Sequence, residues 1–245
     1  MFSTSLFRGA LELLYPARCL ICGSADSGAE AHFCPACDAG LCDRAIRCPR
    51  CATTVGPHSL SEDACAACRR EGPPFARAEC LGSYRGPLKA AVLRMKNAGG
   101  EGIAELLGRR WAAVHPPSEP RLDAIVPVPL HWWKYWRRGY NQSEAVARGV
   151  AASYRLPVRP RWLRCVRRTA PQKNLGPTAR RLNVRGAFRA SSRVAGRHVL
   201  LIDDVMTTGA TAEEAARALR LAGAARVTVA IVARVTEEEP VGASN

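Results

Sequence analysis

Residues 199–211 read VLLIDDVMTTGAT, and the reading of the chain follows from them. Four apolar residues, Val199 to Ile202, predict a buried strand. Two adjacent carboxylates, Asp203 and Asp204, follow it, and then a loop of small and hydroxyl residues, Thr207, Thr208, Gly209, Ala210 and Thr211. A helix is expected to open directly afterwards, at Ala212-Glu213-Glu214. Such a strand–loop–helix holds an anion. The Thr hydroxyls and loop N–H groups all donate toward one phosphate, and the helix N-terminus adds its positive end. Gly209 lets the backbone come close to the ligand. The two Asp residues fall at the carboxyl end of the strand, where open α/β sheets bind ligands. Carboxylates beside a phosphate cradle suit a ligand that also carries hydroxyls or a metal, as a ribose 5-phosphate does. The competing reading is an ordinary βα turn capped by Thr, but one cap residue would suffice for that.

Outward from this stretch, apolar strand-like runs alternate with amphipathic helices. Strands are expected at 78–84, 124–130, 158–166, 198–202 and 226–235. Helices are expected at 88–96 (Leu88, Val92 and Met95 on one face), 103–114, 143–154 and 211–222. Residues 167–190 read as basic and loop-rich. The alternation implies an α/β fold with a mostly parallel sheet. Gly72-Pro73-Pro74 marks a boundary before it. The expected organisation is an N-terminal helix and linker (1–18), a cysteine-rich module (19–72), the α/β domain (73–236) and a disordered tail (237–245).

The N-terminal module carries four Cys-x-x-Cys pairs: Cys19/Cys22, Cys34/Cys37, Cys48/Cys51 and Cys65/Cys68. Paired thiolates two residues apart on a tight turn are the unit of tetrahedral Cys₄ zinc sites, and two pairs make one site. Four pairs therefore predict two Zn²⁺ ions in a double zinc ribbon. Sequential pairing is simplest, an interleaved cross-brace is the alternative, and His32 and Cys42 lie close enough in sequence to compete as ligands. Redox activity is disfavoured because no strand–helix context surrounds the pairs. Sites closed by four thiolates are structural, and free thiols bound to zinc fit a reducing compartment, hence the cytoplasm. Cys80 and Cys165 stand alone in apolar runs and read as core residues.

The formal net charge of +15 is unevenly placed: residues 121–198 hold eighteen Lys/Arg against two acids, Asp123 and Glu144. Such a field attracts polyanions, whether a multiply phosphorylated small molecule or nucleic acid; part of the excess is also ordinary solvated surface. No apolar run reaches the length of a transmembrane helix, so no stable membrane insertion is expected. Residues 1–15 lack the layout of a secretory signal and read as a short packing helix, with a peripheral anchor as the minor alternative. The 131–142 loop combines Lys134, Arg137 and Arg138 with Trp132, Trp133, Trp136 and Tyr140. Its rings suit packing against the sheet edge or the cysteine module, or else stacking of single-stranded bases.

The 199–211 stretch resembles, without a gap, the 5-phosphoribosyl-1-pyrophosphate (PRPP) signature of type I phosphoribosyltransferases. The resemblance implies a sheet of that kind, with the 5-phosphate held by Thr207, Thr208, Gly209, Ala210 and Thr211. Asp203 and Asp204 would be the catalytic pair, holding the ribose hydroxyls directly or through Mg²⁺. It also implies that the loop after the 124–130 strand grips pyrophosphate through Arg137, Arg138 and Gly139, and that residues 167–188 act as a lid over PRPP. Together with the Cys pairs, Tyr84-Arg85-Gly86-Pro87, Lys96, Pro127-Val128-Pro129, Arg138-Gly139-Tyr140-Asn141-Gln142, Gln172, Arg181-x-Asn183 and Gly186-Ala187-Phe188 look like the ComF family over roughly residues 15–235. That family joins a zinc ribbon to a phosphoribosyltransferase domain and is associated with natural competence. Two functions follow from the resemblance. One is a PRPP-dependent transferase with an unidentified acceptor. The other is a non-catalytic phosphate sensor that binds single-stranded DNA or a helicase-like competence protein.

Overall fold

A computed structural model describes residues 18–25, 32–61, 63–117, 121–130, 139–167 and 176–235. The residues expected to form an N-terminal helix, the expected tail, Arg137, Arg138 and the loop tryptophans, and Gln172 lie outside these described residues.

Two five-residue helices, α1 (Pro35–Ala39) and α2 (Ala66–Arg70), belong to the cysteine-rich segment. There follow β1 (Arg77–Ser83), α3 (Gly86–Arg94), α4 (Glu101–Val114), β2 (Ala124–Pro127), α5 (Gln142–Tyr154), β3 (Leu163–Cys165), α6 (Pro177–Val184), β4 (Phe188–Ala190), β5 (His198–Met206), α7 (Ala210–Leu221) and β6 (Arg226–Arg234). Four strands form a parallel sheet in the order β1-β6-β5-β2, and β3 pairs with β4 in a separate antiparallel hairpin.

The central strands are apolar on both faces because helices cover both. Leu200, Ile202, Ala230 and Val232 share one core with Leu107 and Trp111 of α4 and Val146 and Val150 of α5. Val199, Leu201, Val227, Val229 and Ile231 share the other with Ala212, Ala215, Ala216 and Leu219 of α7. Alternate residues of a strand point to opposite faces, so one continuous apolar run feeds two cores. On the first face α4 and α5 cross in backbone contact at Gly108 and Gly149. A Cβ on Gly149 would sit 2.0 Å from the Glu105 carbonyl oxygen, and one on Gly108 2.1 Å from that of Val146.

The cysteine-rich segment closes the exposed edge of β1. Ala78 donates its N–H to the Pro49 carbonyl (3.2 Å), and the Ser83 N–H reaches Asp43 Oδ2 (2.7 Å). Unpaired edge groups that would invite another strand are thereby satisfied within the chain.

Several elements differ from the sequence expectation. The 124–130 strand stops at Pro127, although Val128 still donates to the Ile202 carbonyl; Pro127 and Pro129 stand at the edge-facing positions, where β5 needs no N–H from them. Within 158–166, Val158 makes only a single bridge to Ile125, Pro160 opens a 3₁₀ turn, and β3 is three residues long. The basic 167–190 stretch contains α6, which starts at Pro177 as proline favours, and β4. Beyond Ile202, β5 runs on through both aspartates to Met206. Cys80 is buried as expected, but Cys165 is only half-buried, because its strand lies in the outer hairpin rather than the sheet.

Candidate functional site

Asp203, Thr207, Thr208, Gly209, Ala210 and Thr211 line one cleft at the carboxyl end of β5. The strand ends at Met206, and Gly209, at φ +89°, turns the chain into α7. That left-handed angle admits glycine at little cost, and Cβ atoms are strained there. Thr208 Oγ1 accepts the Ala210 N–H at 3.4 Å, so one hydroxyl does serve the helix start as a simple turn requires. Arg234, at the end of β6, donates to the Thr207 carbonyl and fixes the first residue of the loop from below. Burial lowers the Arg234 pKa from its usual value.

The two carboxylates are unlike. Asp203 is 8% exposed. Burial, and then the adjacent charge of Asp204, push its carboxyl up to about 8, against the opposing Asp204 N–H bond and the Lys96 charge. Its Oδ1 accepts the Asp204 N–H at 2.9 Å and the Ser143 hydroxyl at 3.5 Å. Asp204 lies nearer solvent and pairs with Lys96 Nζ at 3.1 Å. Lys96 follows α3 in its turn to α4, and Ser143 lies at the start of α5, so these two connections converge on the carboxylate pair at the end of β5.

The 139–143 segment is tied to the same place. Gly139 takes φ +81°, and Asn141 caps α5 through its side chain, which accepts the Ser143 N–H at 3.1 Å and donates to the Val128 carbonyl at 3.0 Å. The cap is therefore Asn141, and α5 starts at Gln142, one residue before the start expected at 143. Tyr140, placed in the aromatic loop by sequence, is buried with its hydroxyl on the Met95 carbonyl. Lys96, Ser143 and Arg234 were absent from the expected site. Lys96 had a signal, in the family resemblance, and Arg234 had one as a charge ending an apolar strand. Ser143 had none beyond its place near a helix start.

The eight cysteines form two clusters, Cys19/Cys22/Cys34/Cys37 and Cys48/Cys51/Cys65/Cys68, each with all four sulfurs within 4.8 Å of one another. The pairing is therefore sequential, and His32 and Cys42 belong to neither cluster. The geometry fits zinc: bonds of about 2.3 Å in a tetrahedron put sulfurs about 3.8 Å apart. Cys22 and Cys34 Sγ are 3.7 Å apart, and Cys51 and Cys65 Sγ 3.8 Å. Backbone N–H groups point at the sulfurs, from Ile21 to Cys19 (3.4 Å) and from Cys65 to Cys48 (3.3 Å). Burial opposes ionisation of Cys19 and Cys48, but such N–H bonds outweigh it and bring these thiols to about 6 and about 7.

A parallel sheet with a glycine-turned hydroxyl loop after β5, joined to two Cys₄ clusters, defines a phosphoribosyltransferase-type protein with a zinc-ribbon appendage. The phosphoribosyl transferase domain family matches residues 142–241, and the double zinc ribbon domain family matches residues 10–69. The chain is 32% identical over 231 residues to a protein named DNA utilization protein YhgH of Salmonella typhi, covering 89% of this chain and 96% of that one. It is 34% identical to the protein of the same name in Escherichia coli (strain K12), covering 77% and 86%. It is 30% identical to Competence protein F of Haemophilus influenzae, covering 69% and 78%. The chain belongs to the ComF family. Among the described residues no helix is long and apolar enough to cross a membrane.

Proposed function

We propose that this protein binds PRPP at the β5–α7 turn and works in DNA utilisation or competence, as its relatives' names suggest. The observation that carries the PRPP reading is the convergence at the end of β5: a carboxylate pair directly joined to a glycine-turned hydroxyl loop that opens a helix. In this reading the 5-phosphate lies against Thr207–Thr211, and the ribose hydroxyls meet Asp203 and Asp204. Asp203 and Asp204 would hold Mg²⁺ arriving with PRPP, and such a metal would neutralise charge on the diphosphate. Lys96 balances Asp204 in the free protein and turns to phosphate oxygens in the complex. Arg137, Arg138 and Gly139 supply the pyrophosphate grip. Transfer from PRPP passes through a state resembling an oxocarbenium ion, so positioned charge is what such a site contributes.

The zinc module (19–72) braces the phosphoribosyltransferase-like domain (73–236). The thiol-bound metals fit a cytoplasmic protein, with single-stranded DNA and a helicase-like competence protein as proposed partners. A non-catalytic sensor is the second reading, favoured by the concentration of eighteen basic residues in 121–198. Calorimetric titration of the zinc-loaded protein with PRPP, with and without Mg²⁺, tests the site. Binding that strengthens with Mg²⁺ and is lost in Asp204→Ala supports it, and unchanged affinity in that variant refutes it. Release of pyrophosphate in the presence of candidate acceptors then separates transferase from sensor.

A further inference from the structure

The β3–β4 hairpin carries a feature that neither its packing nor the PRPP site accounts for. Its inner residues, Leu163, Phe188 and Ala190, pack into the core under α7. On its outer face Arg164 stands directly opposite Arg189. Hydrogen bonds from Ser191 N to the Trp162 carbonyl (2.9 Å) and from Val166 N to the Ala187 carbonyl (2.8 Å) flank this pair. They place the two arginines at a hydrogen-bonded position, where Cα atoms are about 5.5 Å apart. Like charges directly opposed across a ladder destabilise it.

Arg161 and Arg193, from the 3₁₀ turns flanking the hairpin, stand beside them. The four arginines, with Trp162, Val166 and Ser191, line a groove of about 620 Å³ that contains no acidic residue. All four are exposed, and among the described residues none makes an ion pair. Several arginines elsewhere are ion-paired: Arg148 with Glu101 and Glu105, Arg197 with Asp123, Arg47 with Asp43. The floor is apolar, with Trp162 half-buried and Val166 55% exposed.

We infer that this groove binds the backbone of single-stranded DNA, with the four guanidinium groups on successive phosphates and Trp162 as a stacking surface for a base. Forked guanidinium donors match phosphate oxygens. An aromatic ring among cations is the arrangement that holds single strands without regard to sequence, and Trp162, which rests on the core, is still partly exposed. An anion also removes the Arg164–Arg189 repulsion, so the hairpin is built to be completed by its ligand. The inference deepens the DNA-linked half of the proposed function and does not depend on the PRPP half, since the groove shares no residue with the cradle.

The test is fluorescence anisotropy of a labelled oligothymidylate of about thirty nucleotides with the full zinc-loaded chain, from about 50 to 200 mM salt. Arg164→Gln/Arg189→Gln is compared with a charge-matched control, Arg94→Gln/Arg109→Gln, on the helices of the opposite sheet face. The hairpin variant is expected to bind at least about tenfold weaker at the lower salt. Its log–log salt slope should fall by about 1.4, the loss of two phosphate contacts on a single strand. The control should stay within about twofold of the unaltered protein, and Arg164→Lys/Arg189→Lys should keep most of the slope. Because the variant relieves a repulsion, its melting temperature should equal or exceed that of the parent, and its PRPP titration should be unchanged. Equal weakening of hairpin variant and control, preference for duplex over single strand, or no binding by the unaltered protein would each overturn the inference. All three leave the PRPP titration, and the reading that rests on it, standing.

Discussion

At Asp203 the chain buries a carboxyl next to a second carboxylate, and the folded protein holds a proton there up to about pH 8. An unfolded chain releases that proton near the ordinary value of 3.8. Between these limits the native state binds the extra proton, so raising the pH destabilises it, by at most about 1.4 kcal/mol per unit. Asp203→Asn removes this dependence. Thermal melts from about pH 5.5 to 9 should show the variant gaining on the parent with pH up to about 8 and levelling off beyond it. Parallel curves would mean that Asp203 is already ionised at low pH. Asp43 is the opposite case. Burial works against its charge, but hydrogen bonds from Ser83 and the charge of Arg47 prevail and hold it at about 2. Its contribution is present above the ordinary carboxylate range and is lost as the pH falls from about 4 toward 2. Asp43→Asn should cost about 2–3 kcal/mol at pH 7 in urea unfolding, since the Ser83 N–H and Arg47 lose a charged acceptor. The sequence showed the Asp203-Asp204 pair plainly, because adjacent carboxylates ending an apolar run have few other uses. It did not show that the two would differ, because burial depends on the neighbouring βα connections. Asp43 gave no sign at all, as its partner Ser83 is forty residues away.

Elements made of one residue pattern were legible, and elements made by contact were not. The apolar runs of β5 and β6 and the periodicity of α4, α5 and α7 identified the parallel sheet and its layers. The hairpin was half legible: β3 lies inside the strand expected at 158–166, but β4, three residues with arginine at the outward position, reads as basic loop, and only the inward alternation of Phe188 and Ala190 marks it. The α4–α5 crossing was hidden, since a glycine inside a helix reads only as a weak helix former. Its role appears when the helices meet: at Gly108 and Gly149 each backbone fills the space where the other's Cβ would stand. Gly149→Ala should therefore do the reverse of a propensity gain. The clash is with backbone and cannot be relieved by a rotamer, so the loss should reach about 3 kcal/mol or more, the upper end for overpacking. Alanine at exposed Gly102, also in α4 but with open space around its Cβ position, should be neutral or stabilising. Chemical denaturation of the two variants side by side separates packing from propensity.

At the scale of the whole molecule, the zinc ribbon and the anion cradle are parts of one mechanical path. Asp43 and Arg47 of the cysteine-rich segment bind Ser83 at the end of β1, through the Ser83 N–H (2.7 Å) and hydroxyl (2.9 Å). Ser83 lies in register with Arg234 of β6, and Arg234 holds the Thr207 carbonyl at the start of the cradle. The short helices and turns between the cysteines bury little besides the cysteines themselves in the second cluster. A segment of this kind takes its folding free energy from the metal. Removing zinc therefore does more than unfold an appendage. It uncovers the edge of β1 and releases the brace on Ser83, and Thr207 loses the register that positions its loop. We expect the purified protein to contain two zinc ions per chain, and chelation to weaken PRPP binding at least several-fold while the sheet remains folded by far-ultraviolet circular dichroism. Re-addition of zinc under reducing conditions should restore it. Arg47→Ala, which keeps all eight cysteines and their metal, should weaken PRPP binding in the same direction by a smaller factor. If the chelated protein stays monomeric and binds PRPP as before, the ribbon is an independent module, and the contacts at Ser83 do no more than hold it in place.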